Sequence, residues 1–141
     1  MVRLLLSHSR PEMGRLSEWL DEQERALAMP HRVAYAVRLC LEEAVVNLID
    51  YTPATDDSNI AVDLAWQDDV MVVAVEDHGP PFDPRAAAAP VRPASLEDAV
   101  PGGLGIMLMR SFASTIDYDT VPGRNRLTLR FAPPPKTGVQ A

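Results

Sequence analysis

The amino-acid sequence predicts an α+β fold, a two-layer sandwich in which three helices cover one face of a mixed, mostly antiparallel sheet. Two observations predict it. Patterns typical of strands occur in adjacent pairs separated by short turns, at residues 60–75 and again at residues 115–131. Patterns typical of helices occur in separate runs, so the strands pair as hairpins and the helices collect on one side. With 141 residues, the chain is long enough for one domain with a real core.

The first part of the chain predicts one strand and two helices. Residues 2–8 are a short apolar run that predicts a strand, and residues 11–29 place apolar side chains at helical spacing until Pro30 ends the helix. A central helix then extends to Tyr51, and the rest of the chain is organised around it. Its apolar stripe repeats at steps of three and four residues: Val33, Ala36, Val37, Cys40, Leu41, Ala44 and Leu48.

The middle of the chain predicts a hairpin followed by a lid. Residues 60–66 alternate between polar and apolar side chains, and residues 70–75 are almost continuously apolar, as expected for a strand at the centre of a sheet. Residues 84–102 are rich in Ala and Pro, and their apolar residues show no sustained helical or strand periodicity. A segment of this length without its own pattern is unusual in a compact domain, so we interpret it as a mobile lid.

The last part of the chain predicts a third helix and a second hairpin. Residues 106–113 have the helical pattern, and residues 115–121 and 125–131 read as two strands joined by a turn at Pro122 and Gly123. The chain therefore predicts a single domain over residues 1–132, followed by a disordered tail over residues 133–141.

Charge and cysteine content exclude several classes of protein. The formal net charge of −7 disfavours nonspecific binding to nucleic acid or to anionic membranes. The single cysteine, Cys40, rules out a disulfide within the chain, which fits a reducing compartment, and its place on the apolar stripe predicts a core residue. The N-terminus does not resemble a signal peptide, and no apolar run reaches membrane-spanning length. We expect a cytoplasmic protein.

Glu43 and Asn47 are four residues apart on the central helix, so they share a face beside its apolar stripe. Two interpretations are open from these residues alone. A solvated helix edge is the more ordinary one. The other is a functional site, because an amide oxygen is a suitable ligand for Mg²⁺ and a carboxylate can accept a proton from a hydroxyl nucleophile.

Two further stretches carry groups suited to a nucleotide. Asp77 ends the central strand two residues before Gly79, where it could accept a hydrogen bond from the amino group of adenine or could simply cap a turn. Residues 102–105, G-G-L-G, precede a helix, and such glycines either let backbone N–H groups approach phosphate or form a hinge. They lack the P-loop lysine and the Rossmann spacing. We interpret His78 as an exposed loop residue.

Three motifs in order carry a resemblance to a known family. They are E-E-A-V-V-N (Glu42–Asn47), V-E-D-H-G-P-P-F-D-P (Val75–Pro84) and P-G-G-L-G-I-M-L-M-R (Pro101–Arg110). Over about residues 3–132 the chain resembles the Bergerat-fold, histidine-kinase-like ATPase superfamily. Within it, the D-x-G-x-P-F-D-P form is most similar to the anti-sigma-factor serine/threonine kinases of bacterial partner-switching systems.

The resemblance implies a role for each matching residue. Glu43 would be the catalytic base, and Asn47 would bind Mg²⁺ together with ATP. Asp77 would accept the adenine amino group, Gly79 would let the chain pass close to the base, and Asn125 would contact adenine through water. The remaining nucleotide-binding residues would be Gly102, Gly103, Leu104 and Gly105.

The resemblance also implies a function. The protein would phosphorylate a Ser or Thr of a STAS-domain anti-anti-sigma protein, would sequester a sigma factor, and would form a homodimer through its sheet region, without binding nucleic acid or membrane directly. One departure leaves an alternative open. Asp50 adds negative charge near the phosphates at a position where relatives often carry a ring, so the chain could instead be a nucleotide-dependent protein-binding module with little or no kinase turnover.

Overall fold

The structure is a computed structural model that describes residues 1–52, 59–79 and 109–133. Residues 109–112 are helical and begin the last described range. Within these ranges no helix is both long and apolar enough to cross a membrane. The elements in chain order are β1 (Val2–Ser7), α1 (Glu12–Ala26), α2 (His31–Tyr51), β2 (Asn59–Gln67), β3 (Val70–Asp77), β4 (Thr115–Val121) and β5 (Arg124–Phe131).

The predicted α+β class is confirmed. The five described strands form one sheet in the order β1-β2-β3-β5-β4, and each neighbouring pair is antiparallel. The predicted lid at residues 84–102 lies outside the described residues, as do the first part of the predicted third helix and the tail from residue 134. Both predicted hairpins and both long helices are present, with ends that differ from the predicted ones by a few residues.

The core lies between one face of the sheet and the two helices α1 and α2. Because side chains alternate along a strand, every second residue of the central strands faces the helices. On α2 the predicted apolar stripe is buried apart from Leu48, which is half-buried. Cys40 is fully buried there as predicted, and burial raises the pKa of its thiol to about 12. A thiol in this setting is a small apolar core group.

The two hairpin turns lie at opposite ends of the sheet, and the turn at Gly123 lies at the end where Asp77 finishes β3. Asp68 joins β2 to β3 with φ of 56°, and Gly123 joins β4 to β5 with φ of 83°. Glycine adopts positive φ without steric cost, which suits it to a tight turn of this kind. The resulting register pairs Asp77 with Asn125 and Asn125 with Thr120, so three polar residues from three strands lie side by side at one end of the sheet.

The face of the sheet away from the helices carries an ionic cluster. Asp63 accepts two hydrogen bonds from Arg3, at 2.7 and 2.8 Å, and one from Arg126 at 2.9 Å. Glu76 lies 3.5 Å from both Arg124 and Arg126. The two carboxylates are buried beneath the arginine side chains. Burial alone would raise the pKa of Asp63, but the hydrogen bonds from Arg3 and Arg126 outweigh it and hold the pKa below its ordinary value.

We expect Asp63→Asn to lower the free energy of unfolding by about 1–3 kcal/mol at pH 7, because two arginines lose a buried anionic partner. A carboxyl group with a lowered pKa stabilises the fold above its unfolded pKa of about 3.9, and this contribution is lost as the pH falls through the lower folded pKa. Urea unfolding at several pH values measures the effect, and the difference in free energy of unfolding between the variant and the wild type should become smaller in acid.

The matched control is Asp117→Asn, which removes an exposed partner 2.7 Å from Arg130 on the same face of the sheet. Exposed ion pairs contribute about 0–1 kcal/mol, so this variant should unfold almost like the wild type. Equal losses of stability for the two variants would contradict a special role for the buried carboxylate.

Candidate functional site

Helix α2 presents Asn47 and Glu43 at the edge of the core. Asn47 is 8% exposed and lines a cavity, whereas Glu43, one turn earlier, is half-buried. In the described part of the chain, no hydrogen bond is made to the Asn47 side chain. Among the described residues no buried side-chain oxygen or nitrogen lacks a partner, so the polar atoms of this amide reach accessible space. A buried amide that opens onto a cavity is available to a ligand.

The cavity lies between α2, the sheet and the helical residues 109–112, and its volume is about 30 Å³. Its walls are mostly apolar, with the carboxylate of Asp77 on the strand side and the amide of Asn47 on the helix side. The described lining residues are Ala44, Asn47, Leu48, Val75, Asp77, Met109, Tyr118 and Leu127. The chemistry of this lining, apolar walls beside a carboxylate, suits a flat, mostly apolar ring that carries a hydrogen-bond donor.

Asp77 is held in place by its neighbours. Its Oδ2 accepts hydrogen bonds from the Gly79 N–H at 3.0 Å and from the Asn125 Nδ2 at 3.4 Å. Within the described ranges its Oδ1 accepts none, which leaves that oxygen for a ligand in the cavity. Burial raises the pKa of Asp77, although the bonds from Gly79 and Asn125, and the nearby His78 and His8, partly oppose this.

Gly79 is needed where the chain turns back over Asp77. A Cβ at this position would lie 3.1 Å from Asp77 Oδ2, tighter than ordinary contacts. Gly79 therefore permits the close turn in which its own N–H reaches the carboxylate. Asn125, which is 2% exposed, closes the arrangement by donating to the Gly79 carbonyl at 2.8 Å and accepting from the Thr120 hydroxyl at 2.9 Å. These bonds orient the turn.

The loop between β1 and α1 holds the C-terminal end of α2. His8 Nε2 lies 3.0 Å from the Thr52 hydroxyl, which donates to the Leu48 carbonyl. Arg10 makes two hydrogen bonds to Asp50, from Nε to Oδ1 at 3.1 Å and from Nη2 to Oδ2 at 2.7 Å. Sequence reasoning missed both contacts, because 40 or more residues separate the partners and no local pattern joins them.

The other predicted residues divide into two groups. His78 is exposed as predicted, with Nδ1 2.8 Å from the Gly123 carbonyl. The predicted nucleotide-binding residues Gly102, Gly103, Leu104 and Gly105 lie outside the described residues.

Among the residues that are described, no group of three or more His, Cys, Asp or Glu side chains could hold a metal ion. A metal here would need Asn47 together with oxygen atoms of a bound ligand, an arrangement that suits Mg²⁺.

Comparisons with known proteins agree on the kind of domain. Residues 8–131 match the family model described as a histidine kinase-like ATPase domain. Over 113 residues the chain is 32% identical to the serine/threonine-protein kinase BtrW of Bordetella bronchiseptica, and this match spans 79% of each chain.

Two solved structures share the fold at 12% sequence identity. One is the histidine kinase domain of the blue-light activated histidine kinase EL346 from Erythrobacter litoralis, with a TM-score of 0.54 over 86% of this chain. The other is the histidine kinase AdeS of Acinetobacter baumannii, with a TM-score of 0.51 over 94% of this chain. This chain covers 59% of the first structure's length and 68% of the second's. From the family model, the relative and the shared fold together, we conclude that the chain belongs to the family of histidine kinase-like ATPase domains.

Proposed function

We propose that this protein is an ATP-dependent serine/threonine-protein kinase that works in the cytoplasm. The observation that carries the proposal is that the Asp77 carboxylate and the Asn47 amide open onto one apolar cavity, with Glu43 one turn from Asn47 on α2. A histidine kinase-like ATPase domain implies ATP binding. The 32% identity to a serine/threonine-protein kinase supports protein phosphorylation over histidine phosphorylation.

The adenine end of ATP would enter the cavity. Asp77 Oδ1 would accept a hydrogen bond from the amino group of the base, while Asn125 and Gly79 keep the carboxylate fixed. Asn125 was expected to contact adenine through water. Its hydrogen bonds to Asp77 and Gly79 support a role in which it positions the group that recognises the base.

Phosphoryl transfer would take place along the exposed edge of α2. Asn47 would hold Mg²⁺ through its amide oxygen, and this fits the residue because its amide has no described partner. The ion, when bound, offsets negative charge on the phosphates. Glu43 would accept the proton of the attacking serine or threonine hydroxyl, which strengthens the nucleophile.

The physiological partners would be those implied by the sequence motifs. We infer that the phosphate acceptor is a Ser or Thr of a STAS-domain anti-anti-sigma protein, and that the protein sequesters a sigma factor in the alternative complex. The match to a serine/threonine-protein kinase over most of the chain supports this branch of the family.

We also infer a homodimer through the sheet. Strand β1 lies at one edge of the sheet, where its outer side is free to pair within the described residues. Met1 and Leu5 are exposed on this strand and its N-terminal flank. Exposed apolar side chains at an unpaired edge favour contact with a second protein surface.

The alternative function is a nucleotide-dependent protein-binding module with little or no turnover. The reason to consider this alternative is the negative charge of Asp50 near the phosphates. In the structure Arg10 pairs with that carboxylate through two hydrogen bonds, so the net charge of the pair is zero. This contact favours the kinase over the alternative.

We expect Glu43→Ala to lower phosphate transfer by roughly 10²- to 10⁴-fold, because a general base contributes about that much, and to leave ATP binding nearly unchanged. The matched control is Glu42→Ala, which removes the neighbouring glutamate that pairs with Arg38 at 3.4 Å. Transfer to the acceptor protein from radiolabelled ATP and calorimetric ATP binding measure the two properties. Loss of ATP binding in Glu43→Ala, or equal loss of transfer in both variants, would contradict the assigned role.

ATP binding should weaken in mild acid because of Asp77. Its pKa is raised, so the carboxylate becomes protonated at a higher pH than an ordinary aspartate and then loses its ability to accept the adenine hydrogen bond. Asp77→Asn should bind ATP roughly ten-fold more weakly at pH 7.5. The ratio of wild-type to Asp77→Asn affinity, which cancels titration of the nucleotide, should decrease as the pH is lowered. A ratio that does not change with pH would show that Asp77 does not recognise the base in its ionised form.

Capture of partners from the native lysate tests the regulatory part of the proposal. Tagged protein is incubated with Mg·ATP, with Mg·ADP or without nucleotide, and bound proteins are identified by mass spectrometry. We expect a STAS protein and a sigma factor whose balance depends on the nucleotide, with phosphoserine or phosphothreonine on the STAS protein. Partners that are never phosphorylated would favour the binding module, and an identical set of proteins under all three conditions would contradict both.

A further inference from the structure

We propose that Arg10 sets the affinity for the phosphate chain of the nucleotide by cancelling the charge of Asp50, and this inference rests on the proposed function. Arg10 is a positioning residue here, acting through Asp50. None of the sequence motifs includes Arg10, because it lies in the loop between β1 and α1. The structure brings it to the end of α2, beyond the residues assigned to Mg²⁺ and catalysis.

Asp50 belongs to the same side of α2 as the assigned polar residues. At 3.6 residues per turn, Glu43, Asn47 and Asp50 fall within about 60° of one another around the helix axis. At 1.5 Å per residue, Asp50 lies about 4.5 Å beyond Asn47 along the axis, and Glu43 about 6 Å before it. The Asn47 amide therefore has a carboxylate on either side. A bound phosphate chain would meet both negative charges.

Arg10 neutralises the negative charge of Asp50. Its guanidinium binds the two oxygens of Asp50 with two nearly parallel hydrogen bonds, the geometry that matches an arginine to a carboxylate best. In the described part of the chain, Asp50 has no other ion-pair partner. The side chain of Asp50 is 25% exposed and that of Arg10 is 70% exposed, so solvent and salt screen the pair.

The fold holds Arg10 at this place. The Ser7 N–H that precedes the loop donates to Glu12 Oε2 at 2.9 Å, and Glu12 in turn pairs with Arg15. His8 lies 3.0 Å from the Thr52 hydroxyl at the C-terminal end of α2. The loop is thus attached to α2 on one side of Arg10 and to the start of α1 on the other. Arg10 does not depend on Asp50 alone for its position.

Removal of the Arg10 charge leaves Asp50 unpaired, and this predicts a change in the affinity for Mg·ATP but not in the affinity for adenosine. Taking the phosphate chain to lie about 8–10 Å from Asp50, one unpaired negative charge weakens binding of a Mg·ATP complex by roughly three- to ten-fold at low ionic strength. Adenosine carries no phosphate, so its affinity should not respond to the same change. The recognition of adenine by Asp77 and the recognition of phosphate near Asp50 are therefore separable by experiment.

The experiment measures affinities of the full-length wild type, Arg10→Gln, Asp50→Asn and the double variant for Mg·ATP and for adenosine by calorimetry. We expect Arg10→Gln to bind Mg·ATP roughly three- to ten-fold more weakly than wild type and Asp50→Asn to bind it at least as tightly. The double variant, which restores the net charge of the pair, should return to within about two-fold of wild type. High salt should shrink the effect of Arg10→Gln.

The matched control is Arg130→Gln, which makes the same change of net charge on β5, where Arg130 pairs with Asp117. Arg130 is five residues along the strand from Asn125, about 17 Å away, so its loss should leave both affinities unchanged. Equal effects of Arg10→Gln and Arg130→Gln would overturn the inference in favour of a general charge effect.

The remaining outcomes are also decisive. If Arg10→Gln lowers the affinity for adenosine as much as the affinity for Mg·ATP, Arg10 only supports the structure of the loop and the inference is wrong. The inference is also wrong if adding Asp50→Asn to Arg10→Gln fails to restore the affinity for Mg·ATP. If wild type and Arg10→Gln bind Mg·ATP equally, the inference fails while the proposed function stands. If the wild type binds neither ligand, the proposed function fails and the inference fails with it.

Discussion

The antiparallel register of β3 and β5 is the constraint on which the candidate site depends. It places Asn125 directly opposite Asp77, and the next hydrogen-bonded strand places Thr120 beside Asn125. A shift of one residue would turn Asn125 to the opposite face of the sheet, since side chains alternate along a strand. The carboxylate would then lose a hydrogen bond while remaining buried. The turn at Gly123 helps to set this register, so a backbone feature of the β4–β5 hairpin determines the chemistry at the end of β3.

The two faces of the sheet surround their buried carboxylates with different partners. On the outer face, Asp63 is neutralised by arginines and its pKa is lowered. On the helix-covered face, Asp77 receives an amide and a backbone N–H but no direct cation from the residues that the structure describes, and burial raises its pKa. The first carboxylate is a partner in a structural ion pair. The second retains an unfilled hydrogen-bond acceptor at a cavity wall, which is more typical of a residue that recognises a ligand.

Much of the fold could be predicted from sequence because its signals are local. The apolar stripe of α2, the break at Pro30 and the alternation in the two hairpins each depend on residues close together in the chain. The burial of Asp63 could not be predicted, because alternation assigns it to the outer face and only the arginine side chains of distant strands cover it. The same limit applies to Arg10 and Asp50. Their charges are evident in the sequence, but their pairing depends on how the β1–α1 loop meets α2.

For the site, the motif residues Asn47 and Asp77 were identified from sequence, and the structure supplies the reason that they belong together. Neither residue type is diagnostic alone, since a carboxylate before a glycine also caps turns and an amide beside an apolar stripe also occurs on solvated helix edges. Their joint position on one cavity favours a ligand, because each is buried and each keeps a polar atom without a described partner. Among the described residues no fully buried polar atom lacks a partner, so the free atoms of Asn47 and Asp77 reach the open cavity rather than a dry interior. A ligand entering the cavity would find an amide and a carboxylate oxygen already in position, and this is the physical argument for the proposal that the cavity binds a ligand.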